Sequence, residues 1–142
     1  MLTIYRQEYN RILSHAKASL PNEACGLLAG FRDGNGGIIT KVYCLSNTDQ
    51  SPEHFSMDPK EQFSAVADMR AKGITLLGNF HSHPETPARP SAEDISLAFD
   101  PEMIYMIVSL KDNRLQLKCF SILQGNAVEK PYVVLENETA EI

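Results

Sequence analysis

The residues best suited to chemistry lie close together: His81-Ser82-His83, then an acid, Asp94, separated from His83 by ten residues. Side chains on a strand alternate faces with a period of two, so His81 and His83 project to the same side and can converge on one ion. The proline-rich segment Pro84 to Pro90 suits a loop that opens a cleft at the strand's end. Ser91-Ala92-Glu93-Asp94 then has the form of a helix start, which brings the first helical turn, with Asp94 on it, back toward the histidines. Two neutral imidazoles and a carboxylate form a three-ligand set typical of a catalytic zinc site, in which the fourth tetrahedral position is left for water. A structural site is more often closed by four protein ligands, and no cysteine stands near enough in sequence to suggest one. Ser91 and Asp94 also fit a second reading, as a capping box that satisfies helix N–H groups. The two histidines at a strand end have no comparable packing explanation. His15 and His54 stand without a ligand partner nearby and are assigned structural or surface roles.

The elements that must position these residues follow from periodicity and turn signals. A short strand is expected at Leu2 to Ile4, and Tyr9, Ile12, Leu13, Ala16 and Leu20 then recur at helical spacing until Pro21 stops the pattern. Cys25 to Phe31 and Ile38 to Leu45 are apolar runs around the turn-forming stretch Asp33-Gly34-Asn35-Gly36-Gly37, a β-hairpin signature. Asp58 as N-cap, Pro59 at the first helical position and Gly73 at the end bracket a second helix, with Phe63, Val66 and Met69 or Arg70 expected to mark its faces. Ile74 to His83 reads as the strand that delivers the histidines. Met103 to Leu110, Leu115 to Leu123 and Ala127 to Leu135 read as an antiparallel meander separated by polar turns. A single domain over 1–135 is expected, with 136–142 as an acidic, frayed and disordered tail.

The bulk properties limit the function classes. The 142 residues suit one domain, and 43% hydrophobic with 22% charged residues is ordinary globular composition. Thirteen Lys and Arg against eighteen Asp and Glu leave a net charge of −5, which repels a polyanion, so nucleic acid is not the expected partner. Cys25, Cys44 and Cys119 are odd in number and widely spaced, which fits reduced, mostly buried thiols. The N-terminus lacks the apolar core of a signal peptide, and no segment approaches the roughly 20 apolar residues of a membrane helix. A cytoplasmic protein without membrane partners is expected; the oligomeric state is left open.

The run His81-Ser82-His83-Pro84, Pro90-Ser91 and Asp94, joined upstream by Glu23-Ala24-Cys25-Gly26-Leu27-Leu28-Ala29-Gly30, resembles the JAMM, or MPN-plus, metalloproteases over nearly the whole chain. The resemblance implies a mixed α/β fold, a curved mixed β-sheet flanked by about three helices, with a cytidine-deaminase-like architecture. It implies one catalytic Zn2+ on His81, His83 and Asp94, with Glu23 as general acid and base and Ser91 as the donor to the tetrahedral oxyanion. Read from its neighbours alone, Glu23 is a carboxylate near a helix end, and Ser91 keeps its reading as an N-cap.

The compact chain and Phe55-Ser56-Met57-Asp58-Pro59 are similar to small bacterial members that act at the C-terminus of ubiquitin-like sulfur-carrier proteins. The implied activity is therefore hydrolysis of an amide or isopeptide bond at the C-terminus of such a carrier or its conjugate. The alternative is a non-catalytic zinc-binding MPN scaffold, although such scaffolds typically lack ligands that are present here. A zinc deaminase would need His-x-Glu and Pro-Cys-x-x-Cys, which the sequence lacks. The DNA-repair branch of the family usually has Asn between the histidines and Ser-Gly after the proline, where this chain has Ser82 and Glu85.

Overall fold

A computed structural model describes residues 1–34 and 36–136. β1 (Leu2–Tyr5) leads into helix α1 (Arg6–Ser19), followed by the hairpin β2 (Cys25–Asp33) and β3 (Gly36–Leu45). Helix α2 (Pro59–Lys72) precedes β4 (Thr75–His83), and the short helix α3 (Ala92–Ser96) lies between β4 and β5 (Ile104–Ser109). After a 3-10 turn at Lys111–Asn113 come β6 (Gln116–Leu123), β7 (Asn126–Lys130) and β8 (Tyr132–Leu135). The strands form one mixed eight-stranded sheet in the order β7-β6-β5-β4-β2-β3-β1-β8.

The expected helices, hairpin and histidine-bearing strand are all present. The final strand differs from expectation: Ala127 to Leu135 is two strands, not one. β7 pairs antiparallel with β6 at one end of the strand order, and β8 pairs parallel with β1 at the other. Pro131 stands between them, where it has no N–H to donate to a ladder. Because one residue joins the first and last strands of the order, the sheet has to curl round on itself. The Tyr132 hydroxyl donates to the Leu117 carbonyl at 2.6 Å and ties β8 to β6 across that curl. Glu136, assigned from sequence to the tail, ion-pairs with exposed Arg6 at 2.7 Å. The rest of that tail lies outside the described residues.

Helix α1 buries Ile12 and Ala16 among Leu28, Val42, Leu77, Phe80, Met106 and Val108. Its buried Glu8 accepts the Val42 N–H at 2.8 Å, on a strand whose pairing with β1 ends at Ile39. Helix α2 packs Ala65 and Met69 against Cys25, Leu27, Ala29 and Leu45. Of the residues expected to mark its faces, Met69 is buried, whereas Phe63 and Val66 are 78% and 40% exposed. Two stripes at helical spacing were available, and the sheet takes the one with the small Ala65. Gly73, expected to end the helix, does so in a left-handed cap with φ 70°.

β4 is the central strand of the site, antiparallel to β2 and parallel to β5. A parallel pair cannot be joined by a tight hairpin; its connection must cross a face of the sheet. The segment from Pro84 to Met103 is that crossover, and it carries α3 past the carboxyl end of β4. Ala88 anchors the loop against Ile107 and Phe120. Close packing also decides the neighbouring strand: a Cβ on Gly26 would run into the Phe80 ring and the Tyr43 carbonyl.

Candidate metal centre

His81 and His83 leave β4 on one face, whereas Phe80 lies on the other among the residues packed by α1. Both histidines are buried, and α3 brings Asp94 over them. His81 Nε2 lies 3.1 Å from His83 Nε2 and 3.1 Å from Asp94 Oδ2, and His83 Nε2 lies 3.2 Å from the same oxygen. Among the described residues this is the one group of three or more His, Cys, Asp or Glu ligand atoms that could hold a metal ion.

The arrangement fits zinc on two independent grounds. Ligands about 2.0–2.1 Å from a tetrahedral ion stand about 3.3 Å apart, close to the spacing of these three atoms. The tautomer of His83 is also set for coordination: its Nδ1 donates to the Pro87 carbonyl at 2.9 Å, leaving the Nε2 lone pair free. His81 Nδ1 is buried without a hydrogen-bond partner, and the Phe55 ring stacks on this imidazole at 4.7 Å between centroids.

The electrostatics suit a cation among these groups. Burial lowers the His81 pKa, disfavouring imidazolium. For His83 burial acts the same way, but hydrogen bonds to Asp94 and Pro87 outweigh it and raise the pKa. Burial pushes the Asp94 carboxyl up, and hydrogen bonds to the two imidazoles overcome this to hold it well below the usual carboxylate range. Asp94 is thus an anion held against two imidazoles.

The capping-box reading of Ser91 and Asp94 is realised, in a geometry that also turns Asp94 toward the histidines. Ser91 Oγ accepts the Asp94 N–H at 3.0 Å, and Asp94 Oδ2 accepts the Ser91 N–H at 2.9 Å, a complete capping box. The same Oδ2 faces both imidazoles. A hydroxyl that accepts a bond keeps its own proton to donate, so capping leaves the Ser91 O–H available.

Glu23 lies just before β2, 5% exposed, and burial pushes its carboxyl up to about 8. His83 pulls that value down and Asp94 raises it, which places the group within electrostatic reach of both. Its backbone is held on three sides: Glu23 N–H donates to the Ser51 carbonyl at 2.8 Å, Asn47 Nδ2 donates to the Glu23 carbonyl at 3.0 Å, and the adjoining Ala24 N–H donates to Ser82 Oγ at 2.7 Å.

Four contributors to this site carry no role assigned from sequence: Asn47, Ser51, Phe55 and Ser82. A small hydroxyl between two histidines, on the opposite face of an apolar strand, is a signal that could have singled out Ser82. Asn47-Thr48-Asp49 has the form of an Asx turn, realised by the Asp49 N–H donating to Asn47 Oδ1 at 3.0 Å, but nothing local links it to Glu23. His15 is structural as expected, with Nε2 3.1 Å from the carbonyls of both Cys25 and Leu45. His54 is exposed and pairs with Glu93 at 2.7 Å.

Comparison with known proteins agrees with this geometry. The chain is 32% identical over 137 residues to the CysO-cysteine peptidase of Mycobacterium tuberculosis, covering 96% of this chain and 92% of that protein. It is 34% identical over 113 residues to a desampylase of Haloferax volcanii, covering 76% and 80% respectively. A solution structure of a protein from Desulfitobacterium hafniense is 52% identical and superimposes with a TM-score of 0.88, covering 96% of this chain and 94% of that one. The family model that describes the prokaryotic homologues of the JAB domain matches residues 6–122, a span that runs from α1 through the candidate centre to β6. The chain therefore belongs to the prokaryotic JAB-domain branch of the JAMM/MPN family.

Proposed function

We propose that this protein is a zinc metallopeptidase that hydrolyses the amide bond at the C-terminus of a ubiquitin-like sulfur-carrier protein or its conjugate. The observation that carries the reading is the trio His81, His83 and Asp94, with donor atoms 3.1–3.2 Å apart beside a buried carboxyl, Glu23. The names of relatives support the substrate class: one is a CysO-cysteine peptidase and another a desampylase.

His81, His83 and Asp94 would hold one zinc ion, with water as its fourth ligand. Zinc so held supplies Lewis acidity and lowers the pKa of water to about 7. Glu23 accepts a proton from the attacking water as the C–O bond forms. It then delivers that proton to the leaving amine nitrogen as the C–N bond breaks, so the carboxylate is regenerated. Burial favours the protonated form of Glu23 that returns the proton, and the carboxylate form that accepts one would be favoured beside a zinc ion. The free O–H of Ser91 donates to the oxyanion that develops on the former carbonyl oxygen. A reducing, cytoplasmic setting suits the three free thiols, and no nucleic-acid partner is called for at a net charge of −5.

The test is cleavage of a carrier protein ending in Gly-Gly joined to cysteine, followed by mass spectrometry with metal analysis of the same samples. Glu23→Gln is expected to retain zinc and to lose about 10²–10⁴-fold in kcat. Equal cleavage by both proteins would remove Glu23 from the mechanism. Zinc binding without cleavage by either would favour the scaffold alternative.

A further inference from the structure

We propose that Asn47 is a positioning residue for Glu23, its side-chain amide fixing one edge of the Glu23–Ala24 peptide unit and so the direction of the Glu23 side chain. The inference rests on Glu23 being the general base. The Glu23 carbonyl and the Ala24 N–H belong to one planar peptide unit. Ser82 Oγ accepts the N–H at 2.7 Å, and Asn47 Nδ2 donates to the carbonyl at 3.0 Å, so side chains hold the unit from both edges. The Glu23 N–H is held in turn by the Ser51 carbonyl at 2.8 Å. Together these contacts fix the torsions on either side of the Glu23 Cα, and hence where its Cβ points. The Ser82 end of the clamp is referenced to the metal site, because Ser82 lies between His81 and His83.

Asn47 connects that clamp to the loop above the site. The same Nδ2 also donates to the His54 carbonyl at 2.9 Å, while Oδ1 accepts the N–H groups of Asp49 at 3.0 Å and Ser56 at 3.1 Å. One amide therefore makes four hydrogen bonds, with its donors and its acceptor serving different partners. The loop it organises lays Phe55 against His81 and pairs His54 with Glu93, the neighbour of Asp94. The tether thus relates Glu23 to both sides of the candidate centre. Misplacing a proton-transfer group by about 1 Å can cost on the order of 10²-fold in rate.

The division between donors and acceptor gives a discriminating variant. Asn47→Asp keeps an oxygen for the Asp49 and Ser56 amides but removes the donation to the Glu23 and His54 carbonyls. On the carrier–cysteine conjugate, this variant is expected to bind zinc as wild type does and keep KM within about two-fold, with kcat falling about ten-fold or more. In a Glu23→Gln background the same change is expected to cost nothing further, because a residue that acts through Glu23 has nothing left to position. Unchanged kcat for Asn47→Asp, or an equal further loss in the Glu23→Gln background, would overturn the inference. Asn47→Ser, whose single shorter hydroxyl cannot replace both donations, takes its place if Asn47→Asp does not fold; failure of both to fold would show that the amide holds the loop rather than the base and would also overturn it. Full activity of Glu23→Gln alone would instead remove the mechanistic reading on which the inference stands.

Discussion

At the scale of single residues, the site combines groups whose ordinary protonation is shifted by burial. Glu23 is the clearest case, because a carboxyl pushed up to about 8 is an acid at a pH where a free glutamate is ionised. The sign of its contribution to stability follows. The folded pKa lies above the unfolded one, so the neutral acid stabilises the fold below the unfolded value, and that stability is lost as pH rises through about 8. Chemical denaturation of metal-free protein between about pH 5 and about pH 9 is therefore expected to show falling stability, and Glu23→Gln to flatten the slope. Identical slopes in the two proteins would assign the dependence to other groups. Asp94 is shifted the opposite way, and the same oxygen that faces the imidazoles closes the capping box of α3.

At the scale of elements, the site depends on which face each element buries. α2 illustrates how small the margin is, because Phe63, Val66 and Arg70 form one helical stripe while Ala65 and Met69 form another. The sheet selects the second: Ala65 and Met69 pack with Cys25, Leu27 and Leu45, directly behind the segment that carries Glu23. Met69→Ala is accordingly expected to cost about 2–4 kcal/mol in unfolding free energy, and Phe63→Ser less than about 0.5 kcal/mol. Equal costs in urea denaturation would mean that the helix buries a different face in solution. The crossover between β4 and β5 is the other deciding element. Parallel pairing forces a long connection, and the connection carries α3 and Asp94 to the carboxyl end of β4.

At the scale of the whole molecule, the sheet curls so that a single residue, Pro131, connects its first and last strands. Tyr132 secures that curl through its bond to the Leu117 carbonyl, while its ring packs near Tyr9 of α1 at 6.5 Å between centroids. Removing the hydroxyl with Tyr132→Phe is expected to lower unfolding free energy by about 1 kcal/mol, leaving zinc content and cleavage rate unchanged. A loss of cleavage without loss of stability would instead connect the curl to the site. Among the described residues no helix is long and apolar enough to cross a membrane.

What the sequence alone determined was set by local periodicity and residue chemistry. Period-two alternation put His81 and His83 on one face, proline and glycine marked the ends of α1 and α2, and the serine-to-acid spacing announced the capping box of α3. These signals are local, so they are legible without the fold. Tertiary structure decided everything that needed two distant segments at once. It made β7 and β8 separate strands at opposite ends of the sheet order, because only the curl of the sheet brings β8 beside β1. It chose the buried face of α2 between two stripes of similar spacing. It also placed Glu23, whose approach to His83 and Asp94 is visible in the sequence only through family resemblance. Long-range backbone pairing and the burial it creates brought these groups together: β2 runs antiparallel to β4 with Cys25 opposite His81, while Ser82 and Asn47 grip the peptide unit just before it.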